Sequence, residues 1–247
     1  MLDFSLLEYL LLGIVGLVVG VLNAMAGGAS VLVYTALMTV GLNPVSAAVT
    51  NAWGVTPANL VAQKVSTEKL RDLYLKNWKL LWFSIFGTVL GAVALLNMPI
   101  EVLEKLVPIL LLIASLSVLI PIKPDSGGLT EKQEQAAIFG TGLYCGYFGP
   151  GQGVMVAATL ARDGRRSSSN LNALKNFITG YTSLVSNLIY LGSGQIQWRL
   201  VLLLAVTSGT GGWIGGRAAG RLSLPLYRGL LLLVGVGASA YFFAKFW

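Results

Sequence analysis

The side chains able to do chemistry in this 247-residue chain are mostly neutral, and they gather around glycine-rich breaks in apolar sequence. Asn23 precedes Gly27-Gly28 and Ser30 follows it, while Gln152 sits inside Gly149-Pro150-Gly151-Gln152-Gly153. Thr50, Asn51 and Trp53 share one later apolar run, and Lys175, Asn176 and Thr179 share another. This set contains no nucleophile with a base beside it. What it offers is amide and hydroxyl donors next to helix starts, whose first N–H groups have no intrahelical partner. Those groups and the helix dipole both favour negative charge. The ends after Gly28 and Gly153 are therefore expected to cradle a small anion. Gly28, Gly151 and Gly153 would supply backbone, and Asn23, Ser30, Thr50, Asn51, Gln152, Asn176 and Thr179 would supply side chains.

Each candidate has a second reading. Asn51 and Asn176 either face one central site or hydrogen-bond a neighbouring helix. Asn23 and Gln152 either meet a ligand or satisfy backbone groups at the breaks. Trp53 either walls a cavity or packs. Lys175 lies several residues into an apolar run but follows Ser167–Asn170, a plausible helix start. It either attracts an anion at depth or snorkels to the interface.

Absences narrow the chemistry further. There is no histidine, and the single cysteine, Cys145, excludes an intramolecular disulfide. No His, Cys or acidic cluster could hold a metal, and no cofactor is expected. A serine hydrolase would need a base, so an enzyme is not expected. All ten acids fall in connections or at segment ends. That argues against a proton relay of buried carboxylates and leaves facilitated diffusion or sodium coupling through backbone carbonyls.

The composition places these residues in a membrane. Hydrophobic residues make up 55% of the chain and charged ones 11%, with a mean hydropathy of +0.74. A soluble domain usually carries about 25% charged residues, so the apolar surplus must face lipid. The net charge of +7 resides in short connections rather than an aromatic-flanked stripe, which fits membrane orientation and not nucleic acid. Asp3 and Glu8 flank the first apolar stretch, which is read as structure rather than as a cleaved signal peptide.

Apolar runs lie near Leu6–Asn23, Ser30–Gly41, Val45–Ala62, Trp78–Leu96 and Val102–Ile120. In the second half they lie near Ala136–Phe148, Val154–Ala161, Leu171–Leu191, Leu200–Arg217 and Leu226–Phe246. Three in each half are long enough to span, since about 20 residues cross the hydrocarbon. Ser30–Gly41 and the pair around Pro150 are shorter. They are expected to be half-helices meeting inside the membrane, or else tight turns near its surface.

The halves match in order and at nearly constant separation. Gly16 and Gly20 align with Gly142 and Gly146, Asn51 with Asn176, Gly87 and Gly91 with Gly211 and Gly215, and Pro99 with Pro225. Basic residues mark Gln63–Lys79, Arg162–Arg166 and Arg217–Arg228 as cytoplasmic, while their counterparts Gly192–Trp198, Gly41–Pro44 and Asn97–Glu101 carry none. Every matched pair takes opposite sides. The expected fold is therefore an all-α integral membrane protein of two inverted-topology helical repeats, each a broken helix hairpin plus three transmembrane helices. Residues 1–122 form the first repeat, 123–133 a cytoplasmic connection and 134–247 the second, with both termini periplasmic. Such repeats are a recurring plan of secondary transporters, with substrate at the repeat interface. Gly87-x-x-x-Gly91 and Gly211-x-x-x-Gly215 are expected to serve helix packing.

The turn Gly41-Leu42-Asn43-Pro44 followed by Ala47-Ala48-Val49-Thr50-Asn51 resembles the TauE/SafE sulfite-exporter family. Gly149-Pro150-Gly151-Gln152-Gly153 and Ala173-Leu174-Lys175-Asn176 are similar to that family's second repeat. The resemblance covers nearly the whole chain. It implies a multi-pass protein of the bacterial inner membrane that moves sulfur-containing anions such as sulfite or organosulfonates. Members commonly carry three glycines at the first break, where this chain has Ala26-Gly27-Gly28-Ala29. The expected partners are a small anionic substrate and the lipid bilayer, with room for a homo-oligomer. An anion channel or facilitator with the same central site, and a non-transporting scaffold, are the alternatives.

Overall fold

The computed structural model describes residues 4–66, 68–119, 128–162, 166–218 and 224–247, without the side chains of 224–227 and 230. The expected connection 123–133 lies partly outside these residues, as do Asp3, Asp125, Asp163, Arg165 and Arg221. The side chain of Pro225 is also outside them. Every described regular element is helical: α1 (Leu6–Met25), α2 (Ser30–Thr39), α3 (Pro44–Lys64), α4 (Leu70–Asn97) and α5 (Ile100–Ser117). The second half continues with α6 (Glu131–Tyr147), α7 (Gln152–Leu160), α8 (Ser168–Tyr190), α9 (Trp198–Arg217) and α10 (Leu224–Phe246).

Local chemistry sets the helix starts. Ser5 with Glu8 and Thr130 with Gln133 form reciprocal capping boxes on α1 and α6. Asn43 caps α3 through Ser46 N with Pro44 in the first turn, and Ser167 caps α8 through Asn170 N. Two helices run further than their apolar runs. α6 begins at Glu131 because its capping box and first-turn acids carry it past the apolar residues. α4 spans 28 residues, so Arg71, Asp72 and Lys76 lie on its first turns and not in a loop. Asn77 departs from helical backbone there (φ −130°), and its Nδ2 donates to Leu73 O at 3.0 Å.

By length and composition, α1 and α4 can cross a bilayer, and Ser30–Thr39 and Leu231–Phe246 are shorter apolar helices. Three full spans in each half were expected from apolar runs. α3 and α8 miss that standard among the described residues because their polar side chains are spent inside the bundle. Thr50, Asn51, Thr56, Lys175, Asn176, Thr179, Thr182, Ser186 and Asn187 are all buried. The outer surface is the reverse: Leu6 is 76% exposed, Leu202 67% and Leu233 75%, with Trp82, Phe86 and Phe243 also outward. A polar interior with an apolar exterior suits an oily surrounding.

Glycine brings the long helices together. α1 lies on α9 and α4 lies on α6. A Cβ added to Gly20 would fall 2.1 Å from Ser208 O, and one on Gly142 would fall 2.1 Å from Ser84 O. Gly211 meets Leu17 O at 2.2 Å in the same sense, and Gly87 meets Phe139 O at 2.2 Å. These contacts are backbone to side-chain-free backbone, the close approach that small residues permit. α3 and α8 pack together and run antiparallel: Asn187 Nδ2 donates to Thr56 Oγ1 at 3.0 Å, and Gly180 lies beside Leu60.

Replacing Gly91, whose added Cβ would fall 2.1 Å from Leu143 O, must push α4 from α6, because a carbonyl cannot rotate away. Gly91→Val is expected to cost about 1–3 kcal/mol or more, read as a fall in melting temperature or loss of the monodisperse peak in detergent. Gly140→Ala, with nothing within 4 Å, is expected to leave both unchanged or slightly improved; equal behaviour of the two variants would contradict this packing.

Candidate functional site

Both glycine breaks are built the same way. At the end of α1, Ala26 N and Gly27 N both donate to Leu22 O, at 2.9 and 3.2 Å; at the end of α6, Phe148 N and Gly149 N both donate to Tyr144 O, at 2.9 and 3.0 Å. The chain then leaves the helix through left-handed glycines: Gly27 and Gly28 at φ 85°, Gly149 at 89° and Gly151 at 92°. Residues with a Cβ rarely adopt this region, so the breaks need glycine there. The two breaks touch. A Cβ on Gly27 would fall 2.7 Å from the carbonyl carbon of Gly153, and Gly151 N donates to Ser30 Oγ at 3.3 Å. Tyr144 Oη donates to Pro150 O at 2.7 Å and ties the second break to its own helix.

Between these breaks and the paired helices α3 and α8 lies a cavity that offers about 40 Å³ to the centres of water-sized molecules. Asn23, Ser30, Asn51, Thr56, Asn59, Cys145, Gln152, Thr179, Ser183 and Ser186 line it with Ala52, Val55 and four break glycines, Gly27, Gly28, Gly149 and Gly153. None of the described residues that line it is charged. Roughly 10–15 Å³ on this measure admits one water, so the space suits a few waters or a small polyatomic ion in their place.

Seven of the twelve residues expected at the site line this cavity: Asn23, Gly28, Ser30, Asn51, Gln152, Gly153 and Thr179. Their roles differ. Asn23 Oδ1 accepts from Ala29 N at 2.7 Å and so caps α2 from within. Gln152 Nε2 donates to Thr182 Oγ1 at 3.2 Å, and Thr179 Oγ1 donates to Lys175 O at 2.8 Å. Asn51 stands apart. It is 3% exposed, and its Oδ1 has no hydrogen-bond partner among the described residues. An amide carries two donors and an acceptor: the unpartnered Oδ1 calls for a donor such as water, and the Nδ2 group is the part of Asn51 that can meet an anion.

The other five expected residues do not line the cavity. Thr50 Oγ1 accepts from Gln197 N at 3.1 Å, tying α3 to the start of α9. Trp53 stacks edge-on with Trp198 at 5.5 Å, and its Nε1 is buried without a partner. Gly151 serves the break itself. Asn176 Nδ2 donates to Ala24 O at 3.1 Å, although its Oδ1 is unpartnered. Lys175 does not reach the interface: it is 1% exposed, and its Nζ donates to Asn23 O at 2.7 Å and Ala24 O at 3.4 Å. A cation at the last carbonyls of α1 also suits that end of the helix dipole.

Four polar lining residues were not among the sequence candidates: Thr56, Asn59, Ser183 and Ser186. Their signal is periodic. Asn51, Val55 and Asn59 repeat at one helical turn along α3, and Thr179, Ser183 and Ser186 do so along α8, which puts each set on one face. Cys145 joins them, with its Sγ 4.0 Å from Ser183 Oγ.

With this geometry in view, the relatives agree on a membrane protein. The chain is 26% identical over 234 residues to a "Probable membrane transporter protein" of Haemophilus influenzae, covering 89% of this chain and 88% of that one. It is 24% identical over 249 residues to "Probable membrane transporter protein YfcA" of Escherichia coli, covering 94% of this chain and 89% of that one. A Sinorhizobium protein named "Probable membrane transporter protein ORF9" matches at 24% identity over 95% of this chain and 91% of its own. No solved structure matches. The family model described as "Sulfite exporter TauE/SafE" matches residues 12–242, and the chain therefore belongs to that family of membrane transporters.

Proposed function

We propose that this protein is a secondary carrier that moves a small anion of the sulfite or organosulfonate class across the bacterial inner membrane by alternating access. The observation that carries this reading is the central cavity, walled by uncharged polar side chains where two glycine breaks touch, with the Asn51 amide bonded to no described group beside it. Groups fixed in place by the fold bind an anion without reorganising, and with no charged side chain in contact with it release stays possible. The family description supplies the sulfur chemistry.

Alternating access needs two arrangements of similar energy, and inverted repeats provide them. Residues 1–122 and 134–247 are the proposed repeats, joined by 123–133 on the cytoplasmic side. Three features support the relation. α1 meets α9 as α6 meets α4. The two breaks share their capping bonds and their left-handed glycines. The equivalent helices α3 and α8 run antiparallel, as an in-plane two-fold axis requires. The contacts pair Gly20 with Gly142 and Gly27 with Gly149, one helical turn away from the sequence alignment of Gly20 with Gly146. A four-residue slip keeps a glycine stripe on the same face, so the glycine pattern alone does not distinguish the two registers. Backbone contact of Gly27 with Gly153 favours a gated carrier over an open pore.

Sulfite, sulfate, thiosulfate and short alkylsulfonates should be screened by thermal shift on detergent-purified protein, since a ligand of the folded state raises its apparent stability. Asn51→Ala is expected to abolish the shift while leaving the unliganded melting temperature nearly unchanged, because the amide makes no protein hydrogen bond that would be lost. Asn176→Ala is expected to lower stability by about 1 kcal/mol through its lost bond to Ala24 O yet keep a shift. A full ligand shift in Asn51→Ala would remove the site from this cavity. As a second check, alkylation of Cys145, the chain's single cysteine, by a small maleimide should slow several-fold when the best anion is bound; unchanged labelling would place the anion elsewhere.

A further inference from the structure

Lys175 is the one charged side chain among the buried described residues, and no described carboxylate pairs with it. Burying an unpaired ammonium is expensive, so its surroundings must be arranged to hold it. Two carbonyls do so, Asn23 O and Ala24 O, at the C-terminal end of α1 immediately before the glycine break. Ammonium has only donors, and it meets only acceptors here. This is a cation nest. In broken-helix carriers, half-helix C-termini and unwound carbonyls are where a coupling sodium is held.

Its placement relative to the cavity matters. Asn23 gives its carbonyl to Lys175, caps Ala29 N with its side chain, and lines the cavity. The ammonium thus sits one residue behind the wall, close enough for its field to act through low dielectric and too far for contact. The corresponding end of α6 holds no charge: Gly146 O accepts from the Tyr190 hydroxyl at 2.6 Å. Among the described residues the bundle places one buried lysine beside one anion-sized space.

We propose that Lys175 is the carrier's resident counter-cation, standing where a coupling sodium would otherwise be held, so that a monoanion crosses without sodium and its charge moves uncompensated. This rests on the reading of the cavity as an anion site. In each cycle the lysine returns to its starting place, and the net charge transferred is that of the anion alone.

The test uses methanesulfonate, whose charge is fixed at the working pH, with the whole protein in liposomes. Potassium gradients with valinomycin set the potential, and sodium is exchanged for choline. Choline is expected to leave uptake unchanged, while an inside-positive potential of about 60 mV raises accumulation about tenfold. Lys175→Met is expected to weaken methanesulfonate binding about tenfold or more, with Lys175→Arg retaining most of it. Uptake that needs a sodium gradient, uptake indifferent to potential, or wild-type binding by a folded Lys175→Met would each overturn the assignment. If Lys175→Met fails to fold, the wild-type sodium and potential measurements decide alone. Failure of both methanesulfonate and sulfite to bind wild-type protein would instead overturn the anion site, and this inference with it.

Discussion

The structure depends on one contact, the meeting of two helix breaks backbone to backbone at Gly27 and Gly153. Inside a bilayer an interrupted helix exposes peptide groups that lipid cannot solvate. Each break therefore has to be surrounded by protein. Here the groups are satisfied both across and within the breaks: Ser30 Oγ takes the N–H of Gly151 from the other break, while Asn23 takes that of Ala29 and Tyr144 donates to Pro150 O inside their own. Removing any Cβ from the contact is what allows the approach, and the polar faces of α3 and α8 then close the remaining space into a cavity.

From that constraint the distribution of polarity follows. Side chains that would ordinarily coat a soluble protein are turned inward on α3 and α8, and leucine, tryptophan and phenylalanine coat the exterior. Much of the polar interior is internally satisfied. Thr56, Thr179, Thr182 and Ser186 donate to carbonyls of their own helices, an arrangement that keeps hydroxyls quiet while Thr56, Thr179 and Ser186 still line the wall. Of the described buried side chains with an unpartnered polar atom, Asn51 is the one that lines the cavity.

The general plan was legible in the sequence because it rests on strong, local signals. Apolar runs gave the number and order of helices, and glycine pairs gave the breaks. The family followed from motifs around Asn51 and Asn176. Less was legible about the site. Asn51 and Asn176 look equivalent in sequence, yet one is open to the cavity and the other is bonded to Ala24 O; which of two similar amides finds a backbone partner is decided by the packing of a distant helix end. Lys175 was ambiguous for the same reason, since its depth depends on where α8 begins relative to α1. Thr56, Asn59, Ser183 and Ser186 carried a periodic signal hidden among many other small polar residues. The extent of α4 was concealed by charge, which marks a topological side but does not end a helix.

That long α4 has a mechanical consequence. Twenty-eight residues at ~1.5 Å rise reach about 42 Å, beyond the ~30 Å of hydrocarbon. The overhang lies before the Asn77 bend, and just past that bend Lys79 bridges to Glu131 of α6 at 2.8 Å. Charged residues of that kind moor a bundle end at the headgroup layer. Differences in bilayer thickness must then be absorbed by tilt or thinning at the opposite rim, so the depth of the central chamber is measured from the moored side.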